Sequence, residues 1–82
     1  KEFKLLVNSG AVSRVQVNGV ASGYLLSIQV KNDTHLLEKT RGEVRRFKKL
    51  EAVASYLRWL GLAVFDVDLT NYQPDQKAVL LD

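Results

Sequence analysis

Cysteine is absent from this sequence, and its absence excludes disulfides, thiolate metal sites and cysteine catalysis. The single histidine, His35, excludes any site that needs two imidazoles from the chain. No apolar run approaches the roughly 20 residues that span a bilayer, and the first residues contain no secretory apolar region. The expectation is therefore a cytoplasmic protein with no membrane partner. Phosphate-cradling glycine loops are missing as well: Gly19 and Gly23 are loosely spaced, without G-x-G-x-x-G or a P-loop lysine. No serine stands in a G-x-S-x-G elbow, and His35 has no orienting partner or nucleophile named by the sequence. Binding is thus a better expectation than catalysis, with no catalytic residue, cofactor or metal.

What is present is ordinary globular composition: 82 residues, 46% hydrophobic and 26% charged, with one Trp, three Tyr and three Phe. That length suits one α+β domain over 1–82 with a small core, since a chain of this size buries only about 60–65% of its unfolded surface. Alternation of period two dominates the first half. Phe3, Leu5 and Val7 read as one face of a first strand ending at Asn8-Ser9-Gly10. Val15 and Val17 mark a second strand, closed by an Asn18-Gly19 turn, with 20–23 as loop. Tyr24, Leu26, Ile28 and Val30 give the clearest alternation. Lys31-Asn32-Asp33 is a turn, 34–40 returns as a strand, and Thr40-Arg41-Gly42-Glu43 turns again into Val44-Arg45-Arg46-Phe47.

The period then becomes helical. Leu50, Val53, Ala54, Leu57 and Leu60 form a core-facing stripe, and Gly61 is suited to end the helix in a left-handed conformation. A strand over 62–69 follows, with Ala63, Phe65, Val67 and Leu69 inward and Asp66 and Asp68 outward. Residues 71–82 read as either a tail or an edge strand. The expected fold is an antiparallel β-meander with one α-helix (about 48–60) packed on it, followed by that strand.

Phe65-Asp66-Val67-Asp68-Leu69-Thr70 resembles the D-x-D-x-T nucleophile signature of haloacid-dehalogenase-like phosphotransferases. Such enzymes need a large doubly wound domain after the strand, with a downstream lysine and further carboxylates, and twelve residues follow Thr70. Alternation along a strand explains two outward aspartates without any chemistry.

Charge is more informative. Residues 1–38 carry four basic and three acidic groups, a net of +1. Residues 39–58 carry Lys39, Arg41, Arg45, Arg46, Lys48, Lys49 and Arg58 against Glu43 and Glu51, a net of +5. Residues 59–82 carry Lys77 against Asp66, Asp68, Asp75 and Asp82, a net of −3. The basic block spans a turn, a strand and the first helical turn, which adjoin in space, and a patch of that kind suits DNA or another polyanion. Its bland alternative is a solvated face. Tyr56 and Trp59, with Ala52, lie beside the core stripe of the helix and, together with the C-terminal tail Ala78–Leu81, are candidate anchors for a homodimer or another protein partner.

The run from Leu36 through Thr40-Arg41-Gly42-Glu43 and Arg45-Arg46-Phe47 to Leu50, continuing by Ala52, Tyr56-Leu57 and Leu60-Gly61 to Val67-Asp68-Leu69, carries a resemblance. It is similar to small, mostly uncharacterised partition-associated accessory proteins of plasmids and integrative elements. Strands leading through Arg-Arg-Phe into a helix also resemble the arm-type DNA-binding domains of phage integrases, whose sheet enters the major groove. Both resemblances imply a non-enzymatic accessory protein acting on mobile-element DNA.

Overall fold

The computed structural model describes residues 2–40 and 42–73. Its elements are α1 (Glu2–Asn8), β1 (Val12–Val20), β2 (Gly23–Val30), β3 (Asp33–Leu36), β4 (Glu38–Thr40), β5 (Glu43–Val44), β6 (Arg46–Phe47), α2 (Leu50–Leu60) and β7 (Asp66–Asp68). The architecture is the expected α+β arrangement, a mainly antiparallel sheet with helix α2 packed on it and a strand after the helix. The main sheet runs β3-β2-β1-β7, with β6 also paired to β2, while β4 and β5 form a separate two-stranded ribbon.

The first segment corrects the sequence reading. Phe3, Leu5 and Val7 do not share a strand face, because residues 2–8 form a helix. Seven residues are too few for the two periods to separate, since Phe3, Leu6 and Val7 also fall at i, i+3 and i+4. Phe3 is buried and Leu6 and Val7 pack partly against the core, whereas Leu5 is 67% exposed.

The second correction concerns Asn18-Gly19, which is no turn. β1 runs on to Val20, and the two-residue turn Ala21-Ser22, with Ser22 at φ 64°, joins it to β2. Gly19 serves close approach instead. A Cβ there would lie 2.6 Å from the Tyr72 Cβ, because the chain after β7 folds over this point and Tyr72 stacks on Tyr24 at 5.2 Å.

The third correction is to the strand over 62–69. Only Asp66–Asp68 is extended into the sheet, and it pairs parallel to β1 with Val67 opposite Val17. Ala63 is exposed, Val67 and Leu69 are also exposed, and Phe65 alone of the expected inward row packs against the core. Residues 62–65 are spent crossing from the end of α2 to the sheet edge. Gln73 bridges to Ala21; the remainder of the expected tail or edge strand, 74–82, lies outside the described residues.

Partners in register share a face. Val15, Val17, Leu26, Ile28 and Phe47 therefore point to the helical side, where Val53, Leu57 and Leu60 of α2 close over them. Helix α2 ends as expected: Gly61 adopts φ 92° and its N–H donates to the Arg58 carbonyl, while the Leu62 N–H donates to Leu57 at 2.9 Å. The other sheet face carries Arg14, Gln16, Asn18, Leu25, Ser27 and Arg46.

Two outcomes follow. In urea unfolding, Phe3→Ala should destabilise by about 3–5 kcal/mol and Leu5→Ala by less than about 0.5 kcal/mol; equal losses would restore the strand reading. The Tyr24 phenol is raised above its ordinary 10.0 by its hydrogen bond with Tyr72 and by burial. A raised phenol favours the neutral form in the folded state. Its contribution is therefore complete below pH 10 and lost as pH climbs through the folded value. Tyrosinate absorbance should show one late-ionising group that moves back toward the ordinary value in Tyr72→Phe.

Candidate nucleic-acid interface

The second edge of β2 is divided. β3 pairs with residues 27–30 and β6 with residues 24 and 25, so the chain leaves the sheet between them. Leu37 makes the junction: it is buried, its N–H donates to Leu26 at 2.9 Å, and its carbonyl accepts from the Arg45 N–H at 2.9 Å. Beyond that base, β4 and β5 project as a ribbon carrying Lys39, and Arg41 falls outside the described residues. Both carboxylates of the ribbon are turned onto it. Glu38 Oε1 accepts from the Gly42 N–H, and Glu43 Oε1 accepts from the Thr40 hydroxyl at 3.1 Å.

At the return to the sheet, Arg45 and Arg46 diverge. The Arg45 guanidinium lies over the Phe47 ring at 4.6 Å and over the Tyr56 ring at 5.3 Å, on the helical side. Arg46 is in register with Leu25 on the other face, and its stem lies across Gly23, where a Cβ would meet Arg46 Cγ at 2.6 Å. Lys39, Glu43, Val44, Arg45 and Arg46 line an open concavity of about 530 Å³. Lys48 follows directly, and Lys49 is the N-cap of α2 with no side-chain capping bond. Five of the expected residues, Lys39, Arg45, Arg46, Lys48 and Lys49, thus gather around one sheet edge and the adjoining helix start. They wrap that edge instead of lying on one flat face.

Arg58 is not among them. It sits in the last turn of α2, about 13 Å along the axis from Lys49 at 1.5 Å per residue. There a cation complements the negative end of the helix dipole. All six described cations of the block are exposed, and none forms an ion pair among the described residues, where the recorded pair is Arg14 with Asp66 at 3.0 Å.

That pair also accounts for half of the D-x-D-x-T motif. Asp66 is held by Arg14, and Asp68 accepts from the Thr70 N–H at 2.9 Å; the Thr70 side chain, and then this backbone bond, lower its carboxyl below the ordinary range. Among the described residues no group of three His, Cys, Asp or Glu is placed to hold a metal ion. His35 is half-buried in register with Ile28, and no helix is long and apolar enough to cross a membrane among these residues.

The candidate protein anchors separate in character. Tyr56 is half-buried, its ring 5.8 Å from both Phe47 and Trp59, whereas Trp59 is 64% exposed. Lys4 was missed at the sequence level: its Nζ lies 4.1 Å over the Trp59 ring. Reading residues 3–7 as a strand gave no reason to bring Lys4 to this ring.

A family model described as ParC-like matches residues 1–76. The chain belongs to the ParC-like family. The match covers the ribbon, α2 and β7 together, and it bears out in coarse form the relation to partition-associated proteins. No curated protein and no solved structure matches the ParC-like chain.

Gly23→Ala tests how firmly the ParC-like fold fixes this edge. The new Cβ would stand 2.7 Å from the Phe47 carbonyl oxygen, which cannot swing aside as the Arg46 stem can. Displacing β6 should cost about 1–3 kcal/mol in urea unfolding. An unchanged or higher midpoint would mean that β6 is not seated on β2 as described.

Proposed function

We propose that this ParC-like chain is a small non-enzymatic accessory protein of plasmid or other mobile-element biology that binds nucleic acid, DNA in the first instance, through the edge formed by Lys39, Arg45, Arg46, Lys48 and Lys49. The observation that carries the proposal is the convergence of these exposed cations, unneutralised by any ion pair among the described residues, at one sheet edge, where Lys39, Arg45 and Arg46 line an open concavity and Lys48 and Lys49 follow directly. The carboxylates of the ribbon are engaged on its own donors. The uncapped amides at the start of α2 add donors beside Lys48 and Lys49, complementary to phosphate. Arg41, adjoining in sequence, belongs to the same proposal, and Arg58 is assigned to the helix end.

A second reading, a homodimer or protein-interaction module, is favoured by the exposed Leu5, Trp59 and Val64. Its measure is light scattering: a strict monomer at high concentration, unchanged by Trp59→Ala, counts against it.

For the leading reading, anisotropy titrations against a labelled DNA at several salt concentrations are decisive. Four or five phosphate contacts correspond to a slope of roughly −4 in log affinity against log salt. Lys48→Ala with Lys49→Ala should make that slope shallower by about 2, while Arg58→Ala leaves it unchanged. Absence of binding at low salt would overturn the proposal.

A further inference from the structure

Two neighbouring rings flanked by two cations cross the flank of α2. Arg45 lies over Tyr56 at 5.3 Å, Tyr56 lies 5.8 Å from Trp59, and Lys4 lies 4.1 Å over Trp59. The four members come from three parts of the chain: the base of the ribbon, α2 and α1. Core filling explains Phe47 and much of Tyr56, but not Trp59, which leaves 64% of its surface in water. This large exposed ring has an ammonium on a flexible stem held against it and the Tyr56 ring beside it.

We infer that this row is a stacking platform for single-stranded nucleic acid, with an unpaired base stacked on the exposed Trp59 ring and phosphates on Lys4 and Arg45. The inference rests on the nucleic-acid reading of the adjoining basic edge and narrows its substrate. Duplex DNA offers phosphates and the edges of stacked bases, not base faces, so an exposed indole gains little from it. A single strand offers every base face, and a pair of rings flanked by cations recognises base and backbone together without reading sequence. Charge complementarity supports this occupant over an apolar protein surface. The flank formed by Ala52, Tyr56 and Trp59 has no carboxylate, and Glu51 projects about 100° round the helix from Ala52. Lys4 carries its charge on a flexible stem, which lets the ammonium move from the ring to a phosphate without disturbing α1. The row also joins the basic edge directly, because Arg45 belongs to both.

The chain has one tryptophan, so its emission reports this ring alone. The test titrates labelled oligothymidylate, and the same strand annealed to oligodeoxyadenylate, into the wild type, Trp59→Ala and Trp59→Phe. Circular dichroism first confirms that each variant is folded. The expected result is quenching of Trp59 emission by the single strand and at least about a fivefold loss of single-strand affinity in Trp59→Ala. Trp59→Phe should retain most of the affinity, and duplex binding should not respond to either change. Unquenched emission, or equal single-strand affinity in Trp59→Ala, overturns the inference while leaving the basic-edge reading standing if the wild type still binds DNA. Failure of the wild type to bind either form overturns both. Concentration-dependent emission with self-association and no quenching by DNA also overturns it, and assigns the flank to a second copy of the chain.

Discussion

Strand β2 pairs with β1 along one edge, while its other edge is shared between β3 and the two residues of β6. That division is the constraint behind the candidate site. A hairpin that simply continued would have spread residues 34–47 along the sheet as one more strand. Because β3 stops at Leu36 and β6 resumes opposite Leu25, the chain between them must leave the sheet and come back. Leu37 holds the base of the excursion with two backbone bonds and a buried side chain. The cost of extracting that segment from the sheet is offset where the chain returns, since Phe47 enters the core beside Tyr24 and against Tyr56. Arg45 and Arg46 flank that anchor, and α2 starts immediately after it. The basic residues are therefore placed by a hydrophobic event, the docking of Phe47.

Electrostatics then follow from placement. Lysines at the start of a helix are unfavourable beside its positive dipole end, and Lys49 receives no compensation from a capping side chain. In the ribbon the acids hydrogen-bond locally and leave the neighbouring cations exposed. At the opposite sheet edge the reverse holds, for Asp66 meets Arg14 and Asp68 meets Thr70. One edge has its charges paired or internally bonded, and the other has them facing water. A net charge of +3 conceals this difference.

Much of the fold was legible in the sequence where burial was strong enough to impose one period. Tyr24 to Val30 alternates because β2 is the central strand, and Leu50 to Leu60 keeps a helical stripe that ends at Gly61 with the predicted geometry. The failures share a physical origin in long-range contact. Residues 2–8 satisfy two periods, and the packing of Phe3, Leu6 and Val7 against the core selects the helix. Asn18-Gly19 has the composition of a turn, yet Gly19 is small because Tyr72, far along the chain, lies across it. Residues 62–69 alternate throughout, but an edge position outside the cover of α2 leaves most of them exposed. The basic block was visible as a count, and five of its members do converge. What the count could not contain was the divided edge of β2, which sends Arg45 and Arg46 to opposite faces, or the approach of Lys4 to Trp59.

The central claim is that DNA meets the edge where the ribbon, β6 and the start of α2 converge. Amide chemical-shift mapping during titration with a short DNA tests it most directly. The account predicts that the largest changes fall at Lys39, Arg45, Arg46, Lys48 and Lys49, with the Trp59 indole following them. Changes centred instead on Arg14, Gln16 and Asn18 of β1, or no changes at all at low salt, would contradict it.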